Sequence, residues 1–323
     1  KSRHTESTKA YEHFLRGRFL WNKRTEAGIR KCIEHLNQAL ELDPNFAMAY
    51  TGLSDCYTLL VVREAISPEE GFPEAKKNAE AALRIDPTLG QALASLGHAL
   101  LHNWDWEAAG NKLGKALELK QDYPSAHQWY SEYLTAMGRH EESIAELQLA
   151  VQLDPLSLVI SADLGRAFYY ARKYDEVFAQ EAKTLEMDPN FWLSRINLGR
   201  SYIQIGEHAR AIEELRKACT ALPGNTEALA FLGFAYAAAN RQDDAFDVLG
   251  ELRTKASDSY VPPYHFAVLF AGLGDNDSAF ENLENAYERR SVDFFTLNAE
   301  PMFDRLRSDT RFTTLLRKIG FPQ

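Results

Sequence analysis

Two histidines four residues apart are the residues of this chain best suited to hold a metal ion. His98 and His102 fall on one face of a predicted helix, where two imidazoles can share a cation. Zinc needs a third and a fourth ligand, and Glu132 is a possible third. Because two histidines reach this spacing easily by chance, we interpret them as polar lining residues. We predict neither a metal nor a cofactor.

Sequence motifs of catalysis are absent. The chain has no G-x-G-x-x-G or G-x-x-x-x-G-K nucleotide loop, no G-x-S-x-G elbow and no H-E-x-x-H zinc motif. Its many carboxylates fall mostly at outward helical positions, where a charged side chain is usually solvated. We therefore predict that the chain is not an enzyme.

Composition and charge exclude further classes of protein. The 323 residues include 36 Lys and Arg against 46 Asp and Glu, a net charge of −10. This acidic balance argues against direct nucleic-acid binding. No apolar run approaches the ~18 to 20 residues that span a bilayer, so no membrane segment is predicted. The three cysteines form no C-x-x-C pair, which favours a reducing compartment, the cytoplasm.

A recurring sequence motif that ends in proline divides the chain into repeats. Its five copies end at Pro44, Pro87, Pro155, Pro189 and Pro223. The last three prolines are 34 residues apart, and the first step of 43 residues leaves nine extra residues in one unit. Since Asp-Pro ends a helix, each copy of the motif marks the end of one repeat.

The register can be tested at positions that did not define it. Position 1 is the third residue after each proline, and position 8 is then always small: Ser54, Gly97, Ser131, Gly165, Gly199, Gly233 and Ala267. Positions 7 and 11 are large and mostly apolar, and position 20 is small or a valine. This pattern predicts two helices that approach closely at positions 8 and 20. One such hairpin cannot bury its face alone, so neighbouring hairpins must stack.

This register resembles the tetratricopeptide repeat (TPR) family over nearly the whole chain. The resemblance implies an all-α fold, a right-handed α-solenoid of helical hairpins with a C-terminal helical cap. We predict about eight repeats over 1–291, with an irregular first repeat (1–46), a repeat with nine extra residues (47–89) and regular repeats over 90–291. The remaining segment, 292–323, is predicted to cap the end of the array.

A narrower resemblance rests on five segments: Tyr11 to Asn22, Trp104 to Trp106, His127 to Tyr130, Asp154 to Ser157 and Glu300 to Phe312. They are similar to the C-terminal TPR regions of bacterial multidomain regulators, often with an N-terminal winged-helix DNA-binding domain. The resemblance implies a regulatory, protein-binding region. Two alternatives stay open: a self-association module that forms homo-oligomers, and a substrate-recruiting arm of an upstream enzyme.

In this family the first helices of the hairpins line a concave groove. The resemblance implies a groove for a peptide or protein partner lined by His98, His102, Gln128, Glu132, Arg166, Tyr169, Tyr170, Arg200, Gln204 and Phe234. Arg200 has no acidic neighbour at the equivalent position of the adjacent repeats. We therefore predict that Arg200, helped by Gln204 and Tyr170, anchors a carboxylate of a partner. The alternative is a carboxylate from a second helix of the same chain.

Overall fold

The computed structural model describes residues 5–22 and 25–321. Its first seven helices are α1 (Thr8–Asn22), α2 (Glu26–Leu42), α3 (Ala47–Val62), α4 (Pro68–Ile85), α5 (Gly90–His102), α6 (Trp106–Leu119) and α7 (Pro124–Ala136). The next nine helices are α8 (His140–Leu153), α9 (Leu158–Tyr170), α10 (Tyr174–Met187), α11 (Trp192–Gln204), α12 (His208–Ala221), α13 (Thr226–Ala238), α14 (Gln242–Asp258), α15 (Pro263–Leu273) and α16 (Asn276–Glu288). Two 3-10 helices (Val292–Thr296 and Pro301–Leu306) and α17 (Thr310–Ile319) follow.

The chain divides into two compact units, residues 1–133 and 134–323, with the division inside α7. In each unit the first and second helices of a hairpin pack together, and each second helix packs on the next first helix. The first helices also contact one another: α1 contacts α3 and α3 contacts α5 in unit 1, and consecutive first helices from α9 to α15 contact one another in unit 2. We call these two sets the first-helix layers. The predicted all-α repeat architecture is confirmed. Every helix within the described ranges is too short or too polar to cross a bilayer.

Most helix boundaries follow the predicted register. The first helices of six repeats begin at the predicted position 1, at residues 47, 90, 124, 158, 192 and 226. In the unit with nine extra residues, α4 begins at Pro68, and the Ser67 side chain caps it by accepting from the Glu70 amide. The extra residues lengthen α3 and the loop after it. The last repeat departs from the register, since α15 begins at Pro263 rather than at residue 260.

The C-terminal segment takes two positions. Helix α17 packs on α16 and buries Phe312, Leu315 and Ile319, as expected of an end cap. Residues 292–306 instead lie against the first-helix layer of unit 2, where Phe303 packs edge-on against Tyr264 of α15. The prediction assigned the whole of 292–323 to the end of the array. That assignment stays a prediction; residues 292–306 place apolar side chains and carboxylates against the first-helix layer of unit 2.

Gly199 tests the close approach of the two helices in a hairpin. A Cβ placed on Gly199 would lie 2.4 Å from Cγ of Leu215 on α12, and Leu215 is fully buried. We therefore expect Gly199→Leu to lower the free energy of unfolding by about 1 to 3 kcal/mol or more. The measurement is thermal unfolding followed by far-ultraviolet circular dichroism.

The matched control is Gly250, a helical glycine of α14 whose added Cβ would meet no atom within 4 Å. Gly250→Leu should keep or raise the melting temperature, because leucine is the better helix former by up to ~1 kcal/mol. Equal melting temperatures for the two variants would show that helix propensity, not packing between α11 and α12, decides the outcome at position 199.

Candidate functional site

The ten predicted groove residues do not form an open polar surface. Six of them are buried: His98, His102, Gln128, Tyr169, Tyr170 and Arg200. The other four are partly buried: Glu132, Arg166, Gln204 and Phe234. The reason is local packing, because the side chains of adjacent first helices fill the space between them. In unit 2 the C-terminal segment fills it as well. The groove therefore stays a prediction as a partner site, and its lining residues already have partners in this chain.

In unit 1 the structure brings His98, His102 and Glu132 together. Nε2 of His98 lies 3.1 Å from Nε2 of His102 and 3.1 Å from Oε2 of Glu132. The ligand atoms of the three side chains all lie within 4.8 Å of one another. Helix α5 positions both imidazoles one turn apart, and α7 supplies the carboxylate.

Aromatic rings hold the two imidazoles in place. The His98 ring stacks on Trp129 with centroids 4.6 Å apart, and the His102 ring stacks on Phe72 with centroids 5.3 Å apart. In both stacks the two ring planes are nearly parallel, with interplanar angles of 6° and 7°. Trp129 thus packs on His98.

In unit 2 the predicted carboxylate partner of Arg200 belongs to the chain itself. Nη2 of Arg200 donates to Oε2 of Glu300, the residue that precedes the second 3-10 helix. The guanidinium also lies over the rings of Tyr169 and Phe231, at 4.2 and 4.7 Å from their centroids. Burial opposes the charged form, but the charges of Glu300, Tyr170, Tyr169 and Glu227 together outweigh it and keep the pKa of Arg200 above its ordinary range.

Glu300 is held from several directions. Its Oε1 accepts from the Tyr169 hydroxyl at 2.6 Å and from the Met302 amide at 3.1 Å. Burial, and next the nearby Glu300 charge, raise the pKa of Tyr169, so its hydroxyl stays a donor. Both predicted sources of the carboxylate, a partner and a second helix, are therefore replaced by the C-terminal segment. Predicted helper Tyr170 does accept from Arg200, at 3.3 Å, and Gln204 contacts Met302.

Two further contacts fasten the same segment to unit 2. Asp304 accepts two hydrogen bonds from the Arg172 guanidinium, at 2.7 and 2.8 Å. Asp293 lies 3.3 Å from Nε2 of His265 on α15. The segment is thus attached through three acidic side chains. Of the other predicted groove residues, Arg166 pairs with Asp163 at 2.9 Å, and Phe234 lies against Gly272 of α15.

Sequence reasoning missed an exposed apolar stripe on α1. Tyr11, Leu15 and Phe19 stand four residues apart, and all three side chains are exposed. Gly17 takes position 8 of the first repeat, so Leu15 and Phe19 take positions 6 and 10. Both of these positions are buried in α3, α5, α9, α11 and α13. The i, i+4, i+8 spacing could have revealed the stripe.

Comparison with known proteins identifies the repeats. Tetratricopeptide repeat models match residues 124–155 and 164–299. The chain contains tetratricopeptide repeats. Over 139 residues it is 30% identical to the BBSome complex member BBS4 of Bos taurus, covering 43% of this chain and 26% of that protein. Over 144 residues it is 26% identical to the transcriptional regulator HilA of Salmonella typhimurium, covering 44% of this chain and 26% of that protein. The chain thus spans about a quarter of the length of these relatives.

Solved TPR structures share the fold. The human IFIT1 dimer with PPP-AAAA superposes with a TM-score of 0.61 at 14% identity, over 91% of this chain and 68% of that one. PilW, a type IV pilus biogenesis factor, gives a TM-score of 0.51 at 18% identity, over 64% of this chain and 94% of that one. TPR arrays generally mediate protein–protein interaction and are typically non-catalytic scaffolds.

Proposed function

We propose that this TPR chain is a non-catalytic protein-interaction module and the regulatory part of a larger bacterial transcriptional regulator in the cytoplasm. The similarity to HilA supports the regulatory role. The five regulator-like segments of the sequence support it independently. Self-association and recruitment of a substrate to an upstream enzyme stay predictions.

The observation that carries the proposal is the exposed stripe on α1. In the later repeats, positions 6 and 10 are covered by the preceding hairpin. For example, Leu36 of α2 packs on Gly52 of α3, and Asn197 of α11 donates to the Ala162 carbonyl of α9 and to Glu181 of α10. On α1 the equivalent residues, Leu15 and Phe19, are exposed, and so is Tyr11 one turn before them.

The stacking within the array indicates what covers this face. Each later first helix packs against the second helix of the hairpin before it. The face of α1 is therefore shaped for an α-helix, and its tyrosine and leucine favour an apolar helical surface. The occupant we propose is an amphipathic helix of a partner protein.

A photocrosslinker at position 15 tests this proposal. Leu15 is 48% exposed, and Leu119 at the end of α6 is a matched control at 47%. With benzoylphenylalanine at position 15, in cells that express the chain from its own gene, we expect crosslinks to one partner, mapped by mass spectrometry to an amphipathic helix. Position 119 should not give this product. Tyr11→Glu should reduce the product about tenfold or more, the equivalent of about 1.4 kcal/mol of binding.

Three results would contradict the proposed surface. The first is equal crosslinking from positions 15 and 119. The second is crosslinking at position 15 that is insensitive to Tyr11→Glu. The third is crosslinking to a second copy of the chain, which would favour the self-association alternative. Tyr11 is exposed, so Tyr11→Glu should leave the melting temperature unchanged.

A further inference from the structure

We propose that His98, His102 and Glu132 form a zinc-binding site in unit 1. This inference replaces the interpretation of the two histidines as groove-lining residues, and it does not depend on the partner proposed for α1. Within residues 5–22 and 25–321 these are the only three His, Cys, Asp or Glu side chains whose ligand atoms converge in this way.

The distances fit one cation between the three side chains. Zinc binds imidazole nitrogen and carboxylate oxygen at about 2.0 to 2.2 Å in a tetrahedral arrangement, which puts neighbouring ligand atoms about 3.3 to 3.5 Å apart. Nε2 of His98 is 3.1 Å from its neighbour on His102 and 3.1 Å from Oε2 of Glu132. The ligand atoms of His102 and Glu132 lie within 4.8 Å of each other, so side-chain rotations that bring all three distances to the tetrahedral spacing would admit the ion.

One proton on Nε2 of His98 can serve both contacts only if two acceptors share it. Nε2 of His98 carries either one hydrogen or one lone pair, yet it has two partners at 3.1 Å. If the nitrogen donates to Glu132, it has no lone pair to accept from His102. If it accepts from His102, its lone pair faces the carboxylate. A cation between the three atoms would accept one lone pair from each of them.

The surroundings favour a preformed site. The aromatic stacks on Trp129 and Phe72 fix the two imidazole planes, so little ordering is needed on binding. Both histidines are buried, and the Glu132 side chain is 14% exposed, which leaves an approach from the carboxylate side. Two histidines and one carboxylate suit zinc and do not suit magnesium or calcium, which prefer oxygen ligands. The three side chains leave the fourth position for water or for a group of a partner.

The test is calorimetric titration of the full chain with ZnCl2 after removal of metals by a chelator. We expect one equivalent of zinc to bind, and no binding of Mg²⁺ under the same conditions. Loss of a supporting residue around a metal costs 10- to 100-fold in affinity, so loss of a direct ligand by His98→Ala or His102→Ala should cost about 100-fold or more. Glu132→Gln keeps the size of a partly exposed side chain, so it separates loss of a ligand from loss of the fold.

The chain offers a matched control in a second histidine pair. Nδ1 atoms of His13 and His35 lie 3.2 Å apart between α1 and α2. The double variant His13→Ala, His35→Ala should bind zinc as the parent chain does. A second readout is Co²⁺, whose visible absorption is intense in a tetrahedral site and should disappear in Glu132→Gln.

The proposal is overturned if the parent chain binds no zinc. It is also overturned if Glu132→Gln binds zinc with unchanged affinity and an unchanged Co²⁺ spectrum. Loss of binding in the His13/His35 variant instead would assign the ion to that pair.

Discussion

Glu300→Gln should destabilise unit 2 by about 3 to 5 kcal/mol, the cost of leaving one member of a buried ion pair without its counter-charge. The side chains of Arg200 and Glu300 are 2% and 1% exposed. Glutamine keeps the acceptor for Tyr169 and Met302, but it turns an amide toward the guanidinium or at best offers it a neutral oxygen. Glu227, at 4.0 Å from Arg200, is too far to replace the lost hydrogen bond. The measurement is urea unfolding followed by circular dichroism. The midpoint of the transition should fall, while its dependence on urea concentration (the m-value) stays unchanged.

The same segment contains the control. Asp304 pairs with Arg172 in good geometry, but these side chains are 38% and 47% exposed. Asp304→Asn should therefore cost only about 0 to 1 kcal/mol. The double variant Arg200→Met, Glu300→Met should be more stable than Glu300→Gln, because it leaves neither member of the pair buried without its counter-charge. If Glu300→Gln costs no more than Asp304→Asn, the buried pair does not hold the segment in place.

The helical hairpins could be predicted from the sequence because the residues that determine them are close together in the chain. Each repeat carries its own helix-ending Asp-Pro, its own small residue at position 8 and the 34-residue period. The starts of α3, α5 and α9 could therefore be predicted from the sequence. The three-residue error at α15 has a local cause too. Pro262 and Pro263 set the start of that helix, and α14 runs on to Asp258.

The position of residues 292–306 could not be predicted in this way. Glu300 meets Arg200 across 100 residues of chain, and no periodic pattern specifies that return. Sequence reasoning did identify Arg200 as a cation that requires a carboxylate. It could not choose among the carboxylates of the chain, because that choice depends on how the C-terminal segment folds over the first-helix layer.

Glu181 carried a signal in the sequence that was not used. Position 24 of the repeat is leucine in five units: Leu113, Leu147, Leu215, Leu249 and Leu283. Glu181 takes the same position and is fully buried, with its carboxyl against Gly165 and its Oε1 accepting from Asn197 at 2.6 Å. Burial raises the pKa of Glu181 to about 8, against the lowering effect of the Ser194 and Asn197 side chains.

This raised pKa predicts a stability that falls as the pH rises. In the unfolded chain the carboxyl loses its proton near its ordinary value of 4.5, whereas in the folded chain it keeps the proton up to about pH 8. Between these values the folded state binds one more proton, so the free energy of unfolding falls by about 1.4 kcal/mol per pH unit. By pH 7 the loss is on the order of 3 kcal/mol, and above pH 8 it levels off.

Glu181→Gln should remove this slope, since an amide does not titrate. We expect the stability difference between the variant and the parent chain to grow in favour of the variant from pH 5 to pH 8. Urea unfolding at each pH measures it. Because the difference is taken at each pH, titrations elsewhere in the chain cancel. Glu176→Gln on the same helix is the control, because that exposed carboxylate is solvated in both states. A difference that stays flat for Glu181→Gln would mean that the carboxyl is ionised in the folded chain. Its negative charge would then have to be stabilised inside unit 2, and the Asn197 amide would be the first donor to replace in order to test this.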